Sequence, residues 1–347
     1  MIRFAAATLA PVLLLALGAL IGGVWIWAAL GYMTLLVFGL DQVRAMAAPG
    51  DPEAEFPAGT GLSVTLGLLH FPLLALAVWL VAGESGAPWH DRLAGSFAFG
   101  LFFGQVSNSN AHELIHRADR RLRRLGVAVY ASVLYGHHAS AHPLVHHVHV
   151  ATRKDPNSPR PGESFYRFAY RALRGEYRAG KAAETARRRR AGKSGLHPYK
   201  VYALISFGAL IGAALIGGLA GVAALLALAF YTQSQLLVSD YVQHYGLTRA
   251  VDAEGKPEPC GPQHSWNTPH WYSSALMLNA PRHSDHHVRP GVEYPGLRLK
   301  ETEMPVLPYS LPVMALIALW PRKWRAVMDH RAAQWRGPAS SQRPADL

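Results

Sequence analysis

Only one cysteine, Cys260, occurs in the 347 residues, and it reads as a structural thiol. Its isolation excludes an internal disulfide, a Cys-ligated iron–sulfur cluster and a CxxC redox pair. Any electrons the chemistry needs must come from outside the chain. Acidic residues are scarce, 22 against 34 Lys and Arg, and none of the 18 histidines precedes His70. Charge is missing altogether from Phe4 to Gly22, Val24 to Leu40, Gly61 to Ala82, Leu93 to Val106, Val201 to Gly218 and Leu219 to Val238. Several of these runs reach the roughly 20 residues that a helix needs to cross a hydrocarbon layer of about 30 Å. Gly and Pro inside them are tolerated in membrane helices.

The chain therefore reads as an all-α integral membrane protein, one domain over 1–347. About six transmembrane helices are expected, near 4–22, 24–40, 61–82, 93–116, 201–218 and 219–243. The first run is too long for a signal-peptide core, and a second follows directly behind Gly22 and Gly23, so a membrane hairpin is expected there. Basic residues concentrate next to spans. Residues 141–200 hold fourteen Lys or Arg against four Asp or Glu, and Arg117 to Arg124 adds five arginines. The positive-inside rule accounts for this more cheaply than nucleic-acid binding. It puts the segments 112–150 and 244–300, the tail 322–347 and both termini in the cytoplasm, with the loop Gly83 to Arg92 outside. The acidic segment Asp41 to Ala58 runs against this placement.

The histidines are clustered. HELIH at 112–116 fits the zinc-protease pattern H-E-x-x-H, in which Glu113 would be the general base. His112 and His116 stand i, i+4, as do His142 and His146, with His147 rotated about 100° further round a helix. His283, His286 and His287 follow at i, i+3 and i+4, and His244 closes a span alone. One tetrahedral zinc takes three or four ligands. Nine imidazoles suit two ions with room for an exogenous group, although imidazole alone does not name the metal. His137, His138, His149, His264 and His270 fall outside the box spacing, and His70, His90, His197 and His330 read as surface or packing residues.

The boxes HELIH, HPLVHH and HSDHH resemble those of the membrane non-haem di-iron desaturases and hydroxylases. "HELIHR", "HHVHVATRKDP", "DYVQHYGLTR", "EPCGPQHSWN" and "LNAPRHSDHH", spread from about Asn108 to Pro295, are similar to the motifs of the alkane 1-monooxygenase family. The resemblance implies two iron ions held by His112, His116, His142, His146, His147, His244, His283, His286 and His287. It implies hydroxylation of the terminal carbon of a medium-chain alkane or similar apolar alkyl substrate from the bilayer, using O2. It also implies electrons from rubredoxin and its reductase, and a bacterial inner-membrane location with the site facing the cytoplasm. Two positions depart from the family pattern, Ala141 and Gln243, where Glu is usual.

Glu113, Asp155, Asp240 and Asp285 are candidate acceptors for ligand imidazole N–H groups. Trp25, Trp27, Phe99, Phe102 and Phe103 are candidates to line a substrate path, and the Arg-rich segments are candidates to steer an acidic donor. A desaturase of the same superfamily is the alternative that shares these ligands. A one-zinc protease would leave most of the box histidines without a role.

Overall fold

The structure is a computed structural model and describes residues 1–43 and 56–335. Most of the acidic segment 41–58, and the end of the tail from 336 on, lie outside the described residues. Helix α1 (Ile2–Ile21) is followed by α2 (Val24–Asp41), which carries a π turn at Tyr32–Leu36. Next come α3 (Phe56–Ala82) and a helix over 89–116, α4, built from Trp89–Phe102, a π turn at Phe103–Ser107 and Asn108–His116. Helix α5 (Arg120–Ser132) is capped by Asp119, which accepts from the Arg121 N–H. Helix α6 spans 138–149 and contains a π turn at His142–His146. Helices α7 (Phe165–Arg190) and α8 (Pro198–His244) follow. Four short helices complete the chain: α9 (Trp271–Leu276), α10 (His283–Val288), α11 (Leu311–Ala318) and α12 (Pro321–Gln334). The stretch expected as a tail from 322 is thus helical as far as Gln334.

Two glycine pairs reverse the chain. Gly22, Gly23 and Gly218 take positive φ, which costs other residues strain. A Cβ on Gly18 would lie 2.8 Å from Ile26 Cα, and one on Gly221 would lie 2.1 Å from the Ala213 carbonyl oxygen. In a straight helix residues eight apart are separated by about 12 Å along the axis, so both pairs are hairpin turns. Helix α8 is therefore two antiparallel arms joined at Gly217 and Gly218, which are non-helical.

The loop between α3 and α4 sits beside both turns. Asp91 accepts from the Gly23 N–H (3.0 Å) and from Trp27 Nε1 (2.9 Å), and the Cβ position of Gly217 lies 2.9 Å from Ala82. All three reversals thus gather at one end of the bundle, the turn end. His116 and His244 close their helices at the opposite end. Among the described residues four helices are long and apolar enough to cross a membrane: Ile2–Ile21, Val24–Asp41, Gly59–Ala82 and Pro198–His244. The expected span 93–116 is helical throughout, but Asn108–His116 is polar.

Helix α7 shows why a charged segment can still be held tightly. Its buried positions are Phe165, Phe168, Ala172, Glu176, Gly180 and Glu184, a stripe at helical spacing, while most of its arginines point outward. The stripe packs α7 on α6 and on the second arm of α8, where Phe168 meets Tyr241 at 5.5 Å.

Candidate metal centre

The nine histidines singled out by spacing come together at the end opposite the turns, in two groups. His112, His116, His142, His147 and His286 form one, and His146, His244, His283 and His287 form the other. Within each group the ligand atoms lie within 4.8 Å of one another. The group of four is wholly buried, while His112, His116 and His147 keep some exposure.

The π turn in α6 decides how the second box divides. Pro143 lacks an N–H and crowds the carbonyl four residues back, which favours a widened turn. That turn puts His142 and His147, five apart, on one face, with their Nε2 atoms 2.9 Å apart. His146, four from His142, joins the other group. In the third box the ordinary helical spacing holds: His283 and His287 pair at 3.1 Å, and His286 turns to His147 at 3.1 Å.

The donor set fits metal ions. His112 and His142 Nε2 lie 2.8 Å apart, and His244 and His283 Nε2 lie 3.0 Å apart. Nitrogens at right angles about an ion at about 2.1 Å are separated by roughly 3.0 Å, and tetrahedral ones by roughly 3.4 Å. The close Nε2 pairs, 2.8 to 3.1 Å, match the first case. His116 Nε2 and His146 Nε2 are buried without a hydrogen-bond partner, as lone pairs reserved for an ion would be. Burial and mutual repulsion hold His142, His147, His283, His286 and His287 well below the ordinary histidine pKa, so their imidazoles are neutral donors.

Of the four candidate carboxylates, Asp155 meets an imidazole directly: His146 Nδ1 donates to its Oδ2 at 2.8 Å. Asp155 is fixed in turn by Ser158 Oγ (2.6 Å) and the Asn157 N–H (3.1 Å). The other three take different partners. Glu113 pairs with Arg117 at 3.1 Å and accepts from the Tyr294 N–H, so it is not free to act as a protease base. Asp240 accepts from Asn157 Nδ2 (2.7 Å), and Asp285 is held by Arg289 Nε (2.9 Å) and the Arg298 N–H (2.8 Å). Side-chain direction, which spacing does not give, separates Asp155 from the rest. At the two departures, Ala141 packs closely against Gly180 of α7, where a Cβ would lie 2.7 Å from that of Ala141. Gln243 braces the site by donating to Ala280 O (3.1 Å) and accepting from Ser239 (2.9 Å).

A cavity of about 110 Å³ reaches the histidines between α4, the second arm of α8 and α11. His112, His142 and His283 stand in its wall, with Leu236, Met277 and Leu311 among its apolar residues. The aromatics expected to line a substrate path are elsewhere. Trp25 (38% exposed) and Trp27 (49%) stand at the turn end. Phe99, Phe102 and Phe103 face into the core, where Phe103 packs on the buried His70. His70 itself bonds Ser107 and Ser132.

Glu176 escaped the sequence reading. It accepts from His138 Nδ1 (2.6 Å), Tyr135 OH (2.7 Å) and Asn157 Nδ2 (3.3 Å), and so orders the shell behind His142. The signal was its place in the buried stripe of α7, obscured by the surrounding arginines. His138 faces the cavity without joining either group; His137, His149, His264 and His270 also stand outside both.

Residues 87–335 match the model of the fatty acid desaturase family. The chain is 33% identical to alkane 1-monooxygenase 1 of Alcanivorax borkumensis over 274 residues, which are 77% of this chain and 66% of that protein. It is 31% identical to alkane 1-monooxygenase 2 of Pseudomonas aeruginosa over 320 residues, 88% of this chain and 83% of that protein. Similarity extends to the hydroxylase component of a xylene/toluene monooxygenase of Pseudomonas putida, 29% identical over 231 residues, 63% of this chain and 58% of that protein. The chain belongs to the alkane 1-monooxygenase group of the fatty acid desaturase family.

Proposed function

We propose that this chain is a membrane non-haem di-iron monooxygenase that hydroxylates the terminal carbon of a medium-chain alkane or a similar alkyl substrate. The observation that carries the reading is the division of nine imidazoles into groups of five and four beside a cavity. Two irons held there would supply the activated-oxygen chemistry that an unactivated C–H bond requires. The reaction consumes the substrate, O2, two electrons and two protons, and yields the alcohol and water. The chain's own residues hold His142, His147, His283, His286 and His287 neutral, orient His146 through Asp155, and admit an apolar chain along Leu236, Met277 and Leu311.

The electrons come from a rubredoxin and its reductase, drawn by the basic surface of Arg120, Arg121, Arg123 and Arg124 and of α7. In this reading the chain crosses a bacterial inner membrane six times, counting the two arms of α8 and the helix 89–116, and the histidines face the cytoplasm, the side that the positive-inside rule gives to the neighbouring arginines. Exposed aromatics at both ends support that placement: Trp89 at the turn end, and Tyr166, Tyr170 and Trp320 at the other.

The test is to load the protein with iron, count metal, and supply rubredoxin, its reductase and NADH with C6 to C16 alkanes. About two irons per chain and a terminal alcohol are expected. One zinc per chain, or no oxygenated product from an iron-loaded sample, would overturn the assignment.

A further inference from the structure

Toward the turn end, the second arm of α8 closes tightly on α4. A Cβ on Gly100 would lie 2.2 Å from the Tyr231 ring, and one on Gly104 would lie 2.2 Å from the Gln235 amide nitrogen. Each glycine is thus roofed by an α8 side chain, and the two roofs are one helical turn apart. Gln235 is fixed in this position, because its Nε2 donates to the Gly100 carbonyl at 2.7 Å. That carbonyl lies just ahead of the π turn Phe103–Ser107. Gly104 and Gln235 belong to the cavity wall, whereas Gly100 and Tyr231 do not. The helices therefore part immediately beyond the Gln235 amide, on its histidine side.

We propose that Gln235 is the end stop that sets how long an alkyl chain the cavity accepts, an inference that rests on the cavity being the alkyl site. Gly104 and His112 are eight residues apart on α4, which places the stop about 12 Å along the helix from the histidines. An extended chain advances roughly 1.25 Å per methylene, from a C–C bond of about 1.52 Å at a tetrahedral angle. The length of helix between His112 and Gln235 accordingly matches about nine or ten carbons of an extended chain. Behind Gln235 the next roof is Tyr231, four residues or about 6 Å away, so removing the amide adds room for about four or five more carbons. The hydrogen bond from Gln235 serves to hold the stop, while its bulk does the stopping.

The experiment compares the iron-loaded wild type with Q235A and Q235L in nanodiscs. Binding of n-alkanes from C6 to C16 is read as the shift in thermal unfolding, and oxygenated product is measured separately on the same samples. In the wild type the shift should stop growing near ten carbons. In Q235A that cutoff should move up by about four or five carbons. Q235L keeps the bulk and loses the hydrogen bond, so its cutoff should stay with the wild type. An unchanged cutoff in Q235A overturns the proposal. So does a cutoff in Q235L that moves as far as in Q235A, or the absence of any alkane-dependent shift in the wild type. A length-dependent shift without oxygenated product would count against the hydroxylase reading and leave the stop standing.

Discussion

Glu176 offers a perturbation whose cost follows from its surroundings. It is 3% exposed and is held by His138, Tyr135 and Asn157. Burial alone would raise its pKa; His138, with Tyr135, reverses this and holds it at about 2, against an ordinary 4.5. The difference corresponds to about 3 kcal/mol favouring the folded state. Because the folded value is depressed, this stability is fully present above about pH 4.5 and is lost as the pH falls through about 2. Glu176→Ala also leaves His138 Nδ1 and Tyr135 OH, both buried, without an acceptor, while Asn157 Nδ2 keeps Asp240 at 2.7 Å; such losses typically cost about 3–5 kcal/mol.

Glu184, two turns along the same stripe, is the control. Its partners are the half-exposed Arg187 (2.9 Å) and Ser140 (3.4 Å), and Ser140 retains Tyr202 OH at 2.7 Å. Glu184→Ala should therefore cost only about 1 kcal/mol. The assay is denaturation of both variants and the wild type in mixed micelles at neutral pH, followed by helicity. A gap of about 2 kcal/mol or more between the two alanine variants is expected. Equal costs would refute the reasoning, since the variants share the helix, the charge and the burial and differ only in partners.

Three further outcomes are expected. Asp155→Asn removes the carboxylate behind His146, and metal retention in a chelator competition should weaken about 10- to 100-fold; wild-type retention would remove Asp155 from the site. His244→Ala should lower metal content from about two ions per chain toward one and abolish turnover, whereas His149→Ala should change neither; equal losses in both would contradict the grouping. Gly221→Ala should prevent accumulation of folded protein, because its Cβ meets the Ala213 backbone carbonyl at 2.1 Å and a backbone atom has little freedom to yield; normal yield and stability would disprove the hairpin geometry in α8.

Much of the architecture was legible because it follows from local composition. Uncharged runs on either side of Gly22–Gly23 read as a helical hairpin, since a residue free to take positive φ turns an apolar helix back sharply; the runs 201–218 and 219–238 read as two spans, and the structure supplied the turn at Gly217–Gly218. Direction was harder to read. Trp25, Trp27, Phe99, Phe102 and Phe103 have the right chemistry for a substrate path, but which face of a helix is covered depends on neighbours distant in sequence. Glu113 and Asp285 sit inside histidine boxes yet turn to arginines, because adjacent residues on a helix point about 100° apart.

By itself, then, the sequence determined that the chain is helical and apolar enough for a membrane, and which nine imidazoles are spaced to share metal. Only the tertiary structure decided how those nine divide, because the division depends on a widened turn at Pro143 and on helices α4, α6, α8 and α10 meeting at one end. It also brought Glu176 and Gln235, the proposed stop, into their contacts. Both act through contacts 38 and 135 residues away in the chain, with His138 and Gly100, and no periodic pattern encodes a contact of that range.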